Sequence, residues 1–188
     1  MKTEEDEALV ARYRQGDVAA FEALLDRHRP GVFRFLARFV GDEARAEELA
    51  QDCWMRFVDA APRWNAQGRF KVWMYAVARN LATDESRRAA HRAAVSLDAP
   101  VRGRPASEVV AAGGPAPDDA ARDAELRPRL LRAIAALPAE QREVFLLREY
   151  EGIPFAEIAE VTGAPVPTVK SRMRYALEAL RRALQEVA

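Results

Sequence analysis

The sequence predicts an all-α protein built as two small helical domains, a helical bundle and a helix-turn-helix domain, joined by a flexible linker. Three observations predict it. Alanine, arginine, leucine and glutamate, all strong helix formers, dominate the 188 residues, while isoleucine and threonine are scarce. Apolar residues recur at three- and four-residue spacing through most of the chain. Between Ala93 and Asp119 that period lapses, and Pro100, Pro105, Pro115 and Pro117 stand among Gly103, Gly113 and Gly114. The expected division is a first domain at 1–92, a linker at 93–120 and a second domain at 121–188.

In the first domain, Asp17 is suited to cap a helix carrying Val18, Phe21, Leu24 and Leu25. Pro30 predicts a kink or a restart before Val32, Phe33, Leu36 and Val40. Gly41 ends that run, and Asp42 caps a helix with Leu49, Cys53, Met55 and Phe57, which Pro62 stops. A long helix then begins near Phe70 with the stripe Phe70, Trp73, Met74, Val77 and Leu81. In the second domain, Leu130, Leu131, Ile134 and Leu137 mark one helix. Pro138 opens the next, with Val144 to Leu147, and Gly152 closes it. Pro154 opens a short helix with Phe155, Ile158, Ala159 and Val161. Gly163 permits a sharp turn, and the last helix carries Val169, Met173, Ala176, Leu177, Leu180 and Leu184.

Charge is balanced in sum, 29 basic against 29 acidic side chains, but it is segregated. Residues 42–59 hold six acids against two arginines. Residues 69–92 hold six basic groups against two acids, and residues 164–188 hold five against two. A local field follows local charge, so two basic blocks suggest nucleic acid even at zero net charge.

Other classes find little support. The single cysteine, Cys53, allows no internal disulfide, and with only His28 and His91, both isolated in sequence, a structural zinc site is not expected. No cofactor, metal or catalytic residue is expected: there is no phosphate-binding glycine loop, and Cys53 lies on an apolar helix face. No apolar run nears the ~20 residues that span a bilayer, and the acidic start, Met1 to Glu7, is unlike a signal peptide. A cytoplasmic protein without membrane insertion is expected.

Three motifs carry the functional reading. Phe155 to Arg174, FAEIAEVTGAPVPTVKSRMR, reads as a helix-turn-helix. Its second helix offers Thr168, Lys170, Ser171, Arg172, Arg174 and Tyr175 outward, donors for phosphates and base edges in a major groove. A plain helical hairpin is the competing reading. In the second motif, Trp64, Phe70, Trp73 and Tyr75 interleave with Arg63, Arg69, Lys71 and Arg79, a pattern suited to melted strands. Phe70 and Trp73 fall on the apolar stripe, whereas Trp64 and Tyr75 lie off it and are the stacking candidates. Asn80, Asp84, Arg87 and His91 share one helix face. Third, Glu47, Glu48, Gln51, Asp52 and Arg56 cluster on an acidic helix, either a solvated face or a docking surface.

These motifs, in this order, resemble bacterial sigma factors of the extracytoplasmic-function group over about residues 9–88 and 128–185. AEELAQDCWMRF, Ala46 to Phe57, is similar to the segment of region 2 that docks on the β′ clamp helices of RNA polymerase. FKVWMYAVARNLATDESRR, Phe70 to Arg88, is similar to the segments that open and read the minus-ten element. LPAEQREVFLLREYEGIPFAEIAEVTGAPVPTVKSRM is similar to region 4, which reads the minus-thirty-five element and contacts the β flap. The resemblance implies core RNA polymerase and promoter DNA, duplex and melted, as partners, with an anti-sigma factor as a further one. It implies polymerase contacts at Glu47, Glu48, Gln51, Asp52 and Arg56, and upstream-element contacts at Thr168, Lys170, Ser171, Arg172, Arg174 and Tyr175. For the minus-ten element it implies Arg63, Trp64, Asn65, Arg69, Lys71, Tyr75, Arg79, Asn80, Asp84, Arg87 and Arg88, with a flipped base held by the loop from Trp64 to Gly68. Two alternatives stay open: a stand-alone helix-turn-helix regulator, expected to dimerise on a palindrome, and a helical adaptor that binds no DNA.

Overall fold

The computed structural model describes residues 4–64, 69–95 and 117–185. Among them it forms eight α-helices and no strand: α1 Asp6–Arg14, α2 Val18–Val40, α3 Glu43–Ala60, α4 Phe70–Val95, α5 Pro117–Ala136, α6 Ala139–Phe145, α7 Phe155–Thr162 and α8 Val166–Gln185. A single 3₁₀ turn, Ala61–Arg63, follows α3, and a π-helical turn, Leu146–Tyr150, extends α6.

The caps form as the sequence predicts. The Asp17 carboxylate accepts from the Ala19 N–H at 3.1 Å, and that of Asp42 from the Arg45 N–H at 3.0 Å. Gly41 and Gly163 end α2 and α7 at φ +75° and +67°, a left-handed backbone that glycine adopts without a Cβ clash. Two elements differ from expectation. α1, which the spacing did not predict, buries Leu9 and Val10. Pro30 does not restart the helix, and α2 runs unbroken through it. A mid-helix proline costs about 3 kcal/mol. Here Leu24 and His28 before it and Val32, Phe35 and Leu36 after it enter one core, and that shared burial holds the helix continuous.

α1 to α4 pack as one bundle. Its centre is the Phe57 ring, which meets Phe70 at 4.9 Å, Tyr13 at 5.8 Å, Trp64 at 5.9 Å and Trp73 at 6.1 Å between centroids. α5 to α8 pack around Ile134, Val144, Leu146, Leu147, Ile158, Val169, Met173 and Ala176. Leu177, placed by its spacing on the apolar stripe, is 44% exposed. The two bodies are in contact: α7 lies along α4, and α2 meets the π turn, α5 and α6. Arg142 pins them together. It donates to Phe39 O at the end of α2 (2.7 Å) and to Ala135 O (2.6 Å) and Leu137 O (3.0 Å) at the end of α5. One guanidinium therefore satisfies the orphan carbonyls of two helix C-termini.

Candidate functional site

α3 presents Glu47, Glu48, Gln51, Asp52 and Arg56 to solvent together. Its opposite face, Leu49, Cys53 and Phe57, is buried, so the helix period alone separates the two. Burial pushes the Cys53 thiol up to about 12, which leaves it a small core group. Beside the polar face runs a groove between α2 and α3, lined by Phe21, Leu25, Phe33, Trp54 and Met55. Met55, which the sequence groups with the apolar Leu49, Cys53 and Phe57, is instead 60% exposed. An apolar floor with a charged rim is the anatomy of a protein-docking surface.

α4 carries the second candidate surface. Toward its C-terminal half Asn80, Asp84, Arg87, Arg88 and His91 are exposed, and Arg63 is exposed on the 3₁₀ turn. Asn65 lies outside the described residues, as do Ala66, Gln67 and Gly68. Trp64 is half-buried, its ring 5.2 Å from that of Trp73 and its indole N–H buried without a partner. The N-terminal half of α4 corrects the sequence reading, because the second body covers it. Tyr75 is not an open stacking platform: it is 1% exposed, and its hydroxyl donates to the Glu151 carboxylate. Its hydroxyl pKa is raised by that burial and by the neighbouring carboxylate. Lys71 Nζ donates to Glu151 O at 2.7 Å. Arg69 pairs with Glu157 at 3.1 Å and with Glu160, both on α7. Arg79 Nε donates to Glu143 Oε2 at 2.8 Å.

On α8, Thr168, Lys170, Ser171, Arg174 and Tyr175 face outward as expected. The Ser171 hydroxyl donates to Pro167 O at 3.0 Å, and the Arg174 guanidinium lies 4.7 Å from the Tyr175 ring centroid. Arg172 is the exception. Its guanidinium turns inward to Glu140 at 2.6 Å and to Glu143 at 3.7 Å.

Glu143, which no sequence motif singled out, thus stands between Arg79 of α4 and Arg172 of α8. It is 2% exposed. Burial raises the pKa of its carboxyl, an effect that Arg79 and Arg172 offset only in part. Removing one partner of a buried pair strands the other charge, at a cost of about 3–5 kcal/mol. The Arg69 pairs lie in solvent, which screens them, so they contribute little to stability. Other charges have structural partners. His28, isolated in sequence, meets the Asp6 carboxylate at 2.8 Å, and Glu85 is held by Arg45 at 2.9 Å and Arg92 at 2.7 Å. Among the described residues no cluster of side chains could hold a metal ion, and no helix is long and apolar enough to cross a membrane.

Two family models match the chain: Sigma-70 region 2 over residues 24–92 and Sigma-70 region 4 over residues 127–180. The chain is 35% identical to the ECF RNA polymerase sigma factor SigL of Mycobacterium tuberculosis, over 96% of this chain and 97% of that one. It is 30% identical to the ECF RNA polymerase sigma factor SigW of Bacillus subtilis, over 95% and 96%. The fold is similar to the sigma factor RpoE of Bartonella quintana, solved with the anti-sigma factor NepR. The TM-score is 0.72 at 21% identity, over 89% of this chain and 98% of that one.

Proposed function

Because the chain belongs to the extracytoplasmic-function sigma factors of the sigma-70 family, we propose that its exposed faces divide that family's work as follows. A sigma factor binds core RNA polymerase and directs promoter recognition and melting, as a specificity subunit rather than a catalyst. In our reading, 1–92 serves as the region 2 domain, 121–188 as the region 4 domain and 93–120 as the tether between them. Glu47, Glu48, Gln51, Asp52 and Arg56 of α3, with the apolar groove beside them, seat on the β′ clamp helices. Arg63, Trp64, Asn65, Arg69, Lys71, Arg79, Asn80, Asp84, Arg87 and Arg88 hold the minus-ten element, where the few kcal/mol lost on unstacking a base are offset by contacts to the extruded one. Tyr75 drops out of that set as a buried residue. Thr168, Lys170, Ser171, Arg174 and Tyr175 enter the major groove of the minus-thirty-five element, and Arg172 drops out of that set as the inward-turned partner of Glu140 and Glu143. The protein works in the cytoplasm and, like the RpoE relative, has an anti-sigma partner.

The observation that supports this reading best is the neighbouring pair of opposite faces on one bundle: an open acidic helix with an apolar groove, and a basic helix with aromatic neighbours. A stand-alone regulator has no use for the first, and an adaptor none for the second. Run-off transcription with core polymerase tests it. Lys170→Ala with Arg174→Ala is expected to lower initiation on promoters with a minus-thirty-five element. The salt dependence of upstream DNA binding should flatten by about one unit for each phosphate no longer neutralised. Unchanged transcription with the double variant overturns the assignment of α8.

A further inference from the structure

Arg92 belongs to the basic block of residues 69–92 but to none of the sets assigned to DNA above. Leu81, Glu85, Arg88 and Arg92 follow one another at four- and three-residue steps, so they share one face of α4. Leu81 and Glu85 are buried in the bundle, while Arg88 and Arg92, farther along the helix, are exposed. Glu85 is 5% exposed and serves two arginines. Arg45 of α3 reaches one carboxylate oxygen at 2.9 Å, and Arg92 reaches the other at 2.7 Å. The two contacts do different work. Arg45 is largely buried and joins α3 to α4, so it is the partner that a buried carboxylate needs. Arg92 is 64% exposed, and solvent screens what its contact adds to stability. What that contact does fix is the guanidinium, which keeps its other N–H donors for a further acceptor. The Arg92 bond also leads the influences that hold the Glu85 carboxyl below the usual glutamate range against its burial, so the anchor is ionised at neutral pH. Two arginines on one carboxylate keep one positive charge. Glu48, which also meets Arg45, belongs to the exposed α3 face assigned to polymerase.

We propose that Arg92 is a further phosphate contact at the minus-ten element and that the buried Glu85 is the residue that positions it. The inference rests on the assignment of the C-terminal half of α4 to that element. Asn80, Asp84, Arg87 and His91 form the neighbouring face of the helix, and Arg88 and Arg92 flank it. Backbone contacts from a flank fix the register in which the central face meets the bases. An arginine held in place before DNA arrives loses less side-chain freedom on binding, which is worth about fivefold in affinity.

A double-mutant cycle on the holoenzyme tests it. Arg92→Ala, Glu85→Gln and the two together are each assembled with core polymerase. Each is titrated, at several salt concentrations, on a fluorescein-labelled duplex carrying a promoter mapped by run-off transcription. Arg92→Ala is expected to lower affinity about tenfold and to flatten the salt dependence by about one unit. Glu85→Gln should lower affinity about fivefold with Arg92 present and leave it unchanged with Arg92 absent, a result that mere loosening of the bundle would not give. Arg92 is exposed, so Arg92→Ala tests the contact whatever Glu85→Gln does to stability. If Arg92→Ala changes neither affinity nor salt slope while Arg87→Ala with Arg88→Ala lowers both, the Arg92 contact is overturned and the assignment of α4 stands. If Glu85→Gln costs as much without Arg92 as with it, or costs nothing in either background, the positioning role is overturned. If neither Arg92→Ala nor the Arg87 and Arg88 pair alters promoter binding, the minus-ten assignment fails and takes the inference with it.

Discussion

The polar face of α3 and the N-terminal half of α4 lie on the same bundle, one open to solvent and the other covered. Glu47, Gln51 and Asp52 stand exposed beside the exposed Met55. Lys71, Tyr75 and Arg79 sit beneath Glu143 and Glu151 of the second body. Helix period dictates both faces equally well, since each is the side turned from the bundle core. What distinguishes them is a partner some 65 to 80 residues away in sequence. An outward helix face is therefore a property of the segment, whereas its availability is a property of the whole chain.

The contrast between the two faces breaks most completely if the bundle itself fails. Phe57→Ala removes the ring around which Tyr13, Trp64, Phe70 and Trp73 are arranged. A Phe→Ala change in a core costs about 3–5 kcal/mol. We expect both faces to be lost together, seen as a single shift of the urea midpoint and loss of binding to core polymerase. Arg142→Ala is next. It leaves carbonyls at the ends of α2 and α5 without their charged donor, at a cost of about 2–3 kcal/mol. Because its bonds cross between the bodies, it should expand the chain in X-ray scattering while α1 to α4 keep their packing.

Met55→Glu sharpens the contrast from the open side. It places a charge on the floor of the groove without touching the seam. Polymerase affinity should fall about thirtyfold, or about 2 kcal/mol, as for a central interface residue. The melting temperature and single-strand binding should hold, because an exposed substitution changes stability by less than about 0.5 kcal/mol. A fluorescence titration with core polymerase checks it. Equal affinity would remove the groove from the docking surface.

Much of this was legible in the sequence. Asp17, Asp42, Gly41 and Gly163 mark helix ends because caps and left-handed turns are local chemistry. The helix-turn-helix and the outward Thr168, Lys170, Arg174 and Tyr175 follow from period alone. The misses share a cause. Pro30 reads as a break because local propensity counts the lost hydrogen bond and not the core that both halves enter. Tyr75 reads as outward because the apolar stripe leaves it out, whereas it is buried between Phe35 of α2 and Glu151 of the other body. His28 reads as isolated because Asp6 is 22 residues away and reaches it only once α1 folds back. Glu143 had no signal at all, since one glutamate in a charged helix looks like any other until two arginines from distant helices converge on it.

The smallest effect separates two buried glutamates that hold the two kinds of contact. Glu85 lies within the first body. The hydrogen bond from Arg92, and then Arg45, hold its carboxyl below the usual glutamate range against the burial that would raise it. A lowered folded value means that Glu85 stabilises the bundle above its unfolded pKa and loses that contribution as pH falls through the folded value. Glu143 lies between the bodies, and burial raises it. Its contribution has the opposite sign: present below the unfolded pKa and lost as pH rises through the raised folded value. Urea midpoints of wild type, Glu85→Gln and Glu143→Gln across the acid range should therefore diverge. Glu85→Gln should flatten the fall in stability on acidification. Glu143→Gln should steepen it, because a group that favoured the protonated chain is gone. A Glu143→Gln profile parallel to wild type would mean that the carboxyl titrates alike in the folded and unfolded chains, which would overturn the raised value.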